Sequence, residues 1–270
     1  MKVVLFCGGL GTRIREYSES IPKPMIPVGH QPILWHVMQY YSEYGHRDFI
    51  RTLGYKANII KEFFLSYRPQ VYADCVVSGF GSNVQLLGEP QEDWRITLID
   101  TGIWRNIGER LWAVRDYVKD EEMFLANYSD GLTNVDLNDM LERFRRSDKV
   151  ACFLAVRPPL TYHLADIDDD GAVREFRSSD RSDIWINAGY FLLRPEIFDY
   201  INEGEELVLE PFWRLIEADK LMAYKHEGFW RCMDNLKDRQ VLEEMVEKGR
   251  MPWRASDSPK QGRTLSIAGL

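Results

Sequence analysis

Hydrophobic positions along this chain fall into short continuous runs separated by stretches with helical spacing. Residues 3–6 read as a first strand, 48–53 as a second, and 72–78 and 95–100 as two more around a turn-rich 79–93. Residues 123–128 form a buried apolar run ending at Ser129-Asp130-Gly131. Between them, 32–44, 56–67 and 108–118 carry helical spacing; in 56–67, Ile59, Ile60, Phe63 and Phe64 recur on one face. Beyond that point the pattern predicts a helix at 137–144, a strand at 150–156 and a hairpin over 167–176 around Asp170-Gly171. A strand at 186–193 and helices at 206–218 and 236–248 complete it.

Strands alternating with helices imply βαβ units. The expected fold is α/β: a Rossmann-like, mostly parallel mixed sheet flanked by helices, with a small inserted β-hairpin or flap. Nothing linker-like or repetitive interrupts the chain, so residues 1–254 are expected to form a single domain. Residues 255–270 read as a loose polar tail. The aromatic-rich segment 63–80 reads as a flap, a subunit contact or plain core packing.

The 270 residues are 45% apolar and 28% charged, as in ordinary globular proteins. The net charge of −8 opposes a polyanionic partner, so neither nucleic acid nor an anionic membrane is expected. Any phosphate ligand must then be gripped by local positive charge. No apolar stretch approaches membrane-spanning length and the first residues do not read as a secretory leader, which makes a cytoplasmic location the expectation. Cys7, Cys75, Cys152 and Cys232 are scattered, mostly in apolar surroundings, and read as buried free thiols.

Local positive charge is what the start of the chain offers. The first strand runs into Gly8-Gly9-Leu10-Gly11-Thr12-Arg13, and Pro22-Lys23-Pro24 follows. Glycines let backbone N–H groups converge on phosphate oxygens, and Arg13 and Lys23 add two positive charges at a strand-to-helix turn. A Walker loop would need Gly-Lys-Ser/Thr where Gly11-Thr12-Arg13 stands, and a dinucleotide fingerprint would need glycine at Ile14. The pattern reads as a different nucleoside triphosphate cradle. Asp130, directly after a hydrophobic strand, and Asp234, in Trp230-Arg231-Cys232-Met233-Asp234, suit a divalent metal bridging phosphates. Asp130 also fits a surface turn, and Asp234 a helix N-cap. Asp166 to Gly171 imitates an EF-hand loop, but the closing glutamate is replaced by Arg177, so a solvated hairpin turn is expected. The five histidines show no metal-ligand spacing.

Together, residues 6–13, Pro22-Lys23-Pro24-Met25 and Gln31-Pro32-Ile33-Leu34 resemble the sugar-1-phosphate nucleotidylyltransferases. Thr97 to Gly102, Gly228-Phe229-Trp230 and Met233-Asp234 are similar above all to the glucose-1-phosphate cytidylyltransferases within them, and the likeness runs to about Trp253. The resemblance implies the nucleotide-diphospho-sugar transferase fold, a homo-oligomer, magnesium as cofactor, and two substrates: a nucleoside triphosphate, with CTP favoured, and a sugar 1-phosphate. Carried over by position, it implies that Gly8, Gly9, Gly11, Thr12 and Arg110 bind nucleotide. Arg13 would stabilise departing pyrophosphate, Lys23 would sit between the two phosphates, and Asp130 and Asp234 would hold magnesium. Asn187 and Glu210 would lie on the sugar side.

The chain also departs from that pattern. The usual Gly-Asp-Gly is Ser129-Asp130-Gly131, and Tyr162-His163-Leu164 replaces an Arg-Phe-Gly. The Glu-Lys-Pro whose lysine grips the sugar phosphate has no counterpart; Arg177 or Arg181 stands nearby. Departures on the sugar half predict a CDP-sugar other than CDP-glucose and poor use of glucose 1-phosphate. A thymidylyl-, uridylyl- or adenylyltransferase, and a non-catalytic nucleotide-sugar-binding regulatory subunit, remain alternatives.

Overall fold

The computed structural model describes residues 1–14, 19–72, 74–87, 93–158, 163–178 and 183–254. Seven strands join one sheet: β1 (Lys2–Phe6), β2 (Asp48–Leu53), β3 (Arg95–Asp100), β4 (Phe124–Asn127), β5 (Ala151–Val156), β6 (Ile186–Leu193) and β7 (Leu221–His226). Their order is β7-β5-β6-β4-β1-β2-β3. All run parallel except β6, which pairs antiparallel with both β4 and β5. The mostly parallel mixed sheet expected from the sequence is therefore present.

Strands covered on both faces need apolar side chains at every position, which is why β1 reads as a continuous run. Val3 and Leu5 point into one core cluster, Val4 and Phe6 into the other. The first cluster packs against α1 (Ile33–Glu43), α2 (Ala57–Leu65), with α4 (Leu137–Arg145) and α6 (Leu236–Glu247) on the same side. The second packs against α3 (Ile107–Ala113) and α5 (Glu210–Glu217). Side-chain caps start α3 and α6: Asn106 and Glu109 form a capping box on α3, and Asn235 caps α6 through the Asp238 N–H.

Four expectations need correction or refinement. β7 lies at a sheet edge; its apolar run is only Leu221 to Tyr224, half-buried and followed by Lys225 and His226, and the pattern did not predict it. The strand expected over 72–78 is Cys75–Ser78, preceded by a helical turn at Pro69–Tyr72. The turn-rich 79–93 contains Asn83–Leu86, which pairs back onto Cys75–Ser78 as an exposed hairpin. The helix expected at 206 starts at Glu210, with Pro211 in its first turn, where a missing N–H costs nothing.

A second hairpin joins His163–Ile167 to Val173–Ser178. Its turn is closed by Asp168, which accepts from the Ala172 N–H at 2.8 Å and from the Arg174 Nε at 2.8 Å. The EF-hand imitation is thus a hairpin turn, as expected. Among the described residues no helix is long and apolar enough to cross a membrane. The predicted tail, 255–270, and Arg181 lie outside the described residues.

Candidate active site

The site forms at the carboxyl ends of β1 and β4. Beyond β1, the glycine loop enters a short 3-10 turn at Thr12–Ile14, anchored by buried Ile14. Gly11 has φ +64°, a left-handed conformation that favours glycine. Gly9, Gly11 and Thr12 line a cavity of about 520 Å³. The side chain of Arg13 lies outside what is described.

Beyond β4 the chain turns sharply at Ser129, whose φ of +66° is left-handed. Two hydrogen bonds hold it there: its N–H donates to Asn127 Oδ1 at 2.6 Å and its hydroxyl to the Phe6 carbonyl at 2.7 Å. That turn aims Asp130 into the cavity. Next, Gly131–Thr133 pairs antiparallel with Trp230–Cys232, Gly131 opposite Cys232, and the Met233 N–H donates to the Asp130 carbonyl at 2.9 Å. This small ladder carries Cys232 and Asp234 to Asp130.

Lys23, on the short turn Lys23–Met25 between two prolines, closes the cluster. Its ammonium donates to Asp130 Oδ2 and to Asp234 Oδ1, each at 2.7 Å. Burial pulls the Lys23 pKa down, but Asp130 foremost, with Cys232 and Asp234, outweighs it and the net shift is upward. Burial, followed by the Asp130 carboxylate, pushes the Cys232 thiol up and keeps it protonated. Donor atoms of Asp130, Cys232 and Asp234 all lie within 4.8 Å of one another, and this is the one grouping among the described residues that could hold a metal ion. Two carboxylates are the hard oxygen donors that a magnesium-type ion takes.

The far wall is Tyr128, Asn187, Ala188 and Trp230. Asn187 accepts from the Gly189 N–H at 2.9 Å, and Trp230 donates to the Ala188 carbonyl at 3.0 Å. A β-carbon on Gly189 would meet the Tyr128 ring at 2.7 Å, so the third position of Asn187-Ala188-Gly189 must stay bare.

Of the residues singled out in the sequence, Gly9, Gly11, Thr12, Lys23, Asp130, Asp234 and Asn187 meet at this cavity. Gly8 and Arg110 are not among its lining; Arg110 is 2% exposed and bound to backbone carbonyls behind the glycine loop. Nor do Arg177 and Glu210 reach the lining. Arg177 is exposed on the second hairpin, paired with Glu175 at 3.0 Å, and Glu210 is exposed at the start of α5. Glu206 instead accepts from the N–H of Ile107, a lining residue, at 3.2 Å, and burial raises its pKa. Sequence reasoning missed Cys232, taking it as a core thiol. Its spacing of two from Asp234 was the available signal, since alternate residues of an extended segment share a face.

The nucleotidyl transferase family model matches residues 2–238. The chain is 39% identical to a glucose-1-phosphate cytidylyltransferase of Salmonella typhi over 256 residues, covering 94% of this chain and 99% of that protein. It is equally similar to the enzyme of the same name from Salmonella typhimurium. In fold it resembles a UDP-glucose pyrophosphorylase solved with UDP-glucose, with a TM-score of 0.65 at 13% identity over 92% of this chain and 99% of that one. HddC from Yersinia pseudotuberculosis gives a TM-score of 0.64 at 20% identity, over 91% and 99%.

Proposed function

The chain belongs to the nucleotidyl transferase family, and from that footing we propose that it transfers a cytidylyl group from CTP to a sugar 1-phosphate, giving a CDP-sugar and pyrophosphate. The observation that carries this reading is the single ammonium of Lys23 held by Asp130 and Asp234 at 2.7 Å each, in a cavity whose other side is the glycine loop. A module that only bound a nucleotide sugar would have no need to concentrate a lysine and two carboxylates there. The choice of CTP draws on the relatives at 39% identity, which are named as cytidylyltransferases.

The reaction joins one oxygen of the sugar phosphate to the α-phosphorus of CTP and breaks the bond from that phosphorus to the bridging oxygen of pyrophosphate. In-line transfer of this kind is catalysed by positioning and by charge placed where phosphate charge develops. Backbone N–H groups of the Gly9–Thr12 segment would cradle the triphosphate, and Arg13 would stabilise the departing pyrophosphate. Lys23 would turn its ammonium from the carboxylates to the α-phosphate and the sugar phosphate. Asp130 and Asp234 would hold magnesium, which when bound neutralises phosphate oxygens. Asn187 and Tyr128 offer polar atoms to the sugar hydroxyls.

The same relatives are named for glucose 1-phosphate. Against that stands the loss of the sugar-phosphate lysine motif, replaced by Phe176-Arg177-Ser178-Ser179-Asp180-Arg181, and the sugar is therefore one other than glucose. Pyrophosphate release with magnesium, measured across CTP, UTP, dTTP and ATP against a panel of sugar 1-phosphates, tests both parts. Turnover with CTP and a sugar other than glucose is expected. High activity with glucose 1-phosphate refutes the sugar assignment, preference for another triphosphate refutes the base, and silence with CTP still bound favours the non-catalytic reading.

A further inference from the structure

Four cysteines occur in the chain, and three have unremarkable places: Cys7 and Cys152 are buried in the core, and Cys75 sits on the exposed hairpin with its thiol toward the Gln70 carbonyl. Cys232 is different. It lines the active-site cavity, and its sulfur lies within 4.8 Å of a carboxylate oxygen of both Asp130 and Asp234. The backbone enforces this placement, because Cys232 is locked opposite Gly131 in the small ladder and Asp130 precedes that glycine. A cation already occupies the centre of the cluster: the Lys23 ammonium, seated on both carboxylates.

We propose that Cys232 is a third donor of this cation site, so that the pocket takes thiophilic divalent ions such as zinc, cobalt or cadmium in preference to magnesium. The proposal rests on the catalytic reading only for the presence of a divalent ion at Asp130 and Asp234. Magnesium takes oxygen donors at about 2.0–2.1 Å in a near-octahedral shell that retains several waters, and a sulfur adds little to it. Zinc binds sulfur at about 2.3 Å and carboxylate oxygen at about 2.0–2.2 Å, four-coordinate, and soft donors select such ions. Two carboxylates and one thiolate supply three positions of that tetrahedron and leave the fourth open. On binding, the Cys232 thiol forms the metal–sulfur bond and releases its proton to solvent. Lys23 must leave the carboxylates at the same time, since its ammonium occupies the cation's place. An ion held by three protein donors competes directly with magnesium for the site.

Cobalt(II) reports sulfur ligation through a thiolate-to-metal charge-transfer band in the near ultraviolet, independent of turnover. Metal-free full-length protein is titrated with cobalt chloride, alongside the Cys232→Ser, Cys75→Ser and Asp234→Asn variants. The expected result is a band saturating at one equivalent in the wild type and in Cys75→Ser, and absent from Cys232→Ser. Cobalt affinity should fall by about 10- to 100-fold in Cys232→Ser and in Asp234→Asn, at least what loss of a supporting ligand costs. Cobalt binding without the band, a band that survives Cys232→Ser, or no cobalt binding overturns the proposal. Magnesium-dependent pyrophosphate release by the wild type is read in parallel. A band without turnover refutes the proposed reaction and leaves the thiol site standing, and turnover without a band refutes the thiol donor alone.

Discussion

A β-carbon built on Gly8 would lie 2.0 Å from Nη1 of Arg110, so the first glycine of the loop is required by a neighbouring side chain. The Arg110 guanidinium fills that space because it is a hub. Nη1 donates to the Leu53 carbonyl, the Thr101 hydroxyl and the Gly102 carbonyl, and Nη2 to the carbonyls of Gly8 and Ile103. It thereby ties together the loops that leave β1, β2 and β3.

Arg110→Met should lower stability by about 3 kcal/mol or more, since it strands several buried acceptors at once. Gly8→Ala should cost about 1–3 kcal/mol through overpacking. Both act on one contact, so the double variant should fall short of the sum by about 0.5–3 kcal/mol. Urea unfolding of the four proteins measures this, and strict additivity would refute the coupling.

Lys23→Met and Asp234→Ala should each lose about 100- to 1000-fold in turnover while keeping a wild-type circular dichroism spectrum. Near-normal turnover in either would remove it from the proposed chemistry. The ion pairs add a second expectation. In Lys23→Met the competing ammonium is gone, so magnesium should bind the nucleotide-free protein more tightly than it binds the wild type. Isothermal titration showing equal or weaker affinity would count against an ammonium seated in the cation's place.

Ser129 stands in a left-handed conformation where the resembling family carries glycine. That conformation costs roughly 1–2 kcal/mol for a residue with a β-carbon, and the hydroxyl bond to Phe6 returns about 1 kcal/mol. Ser129→Gly relieves the strain while losing the bond and should be close to neutral. Ser129→Ala keeps the strain and loses the bond, and should be about 1 kcal/mol worse. Melting curves ranked the other way would show that strain is not what glycine answers there.

His36 is 4% exposed, its Nε2 toward the Val28 carbonyl at 2.9 Å, and burial lowers its pKa from 6.5 to about 4. Between those values the unfolded chain binds the proton and the folded one resists it. The contribution is thus complete above pH 6.5 and lost as pH falls toward 4, on the order of 3 kcal/mol. In His36→Gln that acid slope should flatten in urea titrations from pH 7 to 4, leaving the part due to His46 and His226, whose pKa values burial also lowers. An unchanged slope would place the acid sensitivity elsewhere.

The strands at 48–53, 95–100 and 186–193 were legible to the residue, because each is a short run rich in β-branched and large apolar residues, bounded by turn residues. The glycine loop, Lys23 and Asp130 were legible too, since each is a local motif whose chemistry travels with a few consecutive residues. β7 was not, because its apolar run is only Leu221 to Tyr224 and Lys225 and His226 complete the strand. The sequence could not determine that β6 inserts antiparallel between β4 and β5, that Arg110 binds five acceptors on three loops, or that Cys232 stands opposite Gly131 beside two carboxylates. Each of these is a pairing between segments far apart in the chain. Such a pairing is decided by strand register and by which buried polar groups find partners when the whole core closes, and no local run of residues records it.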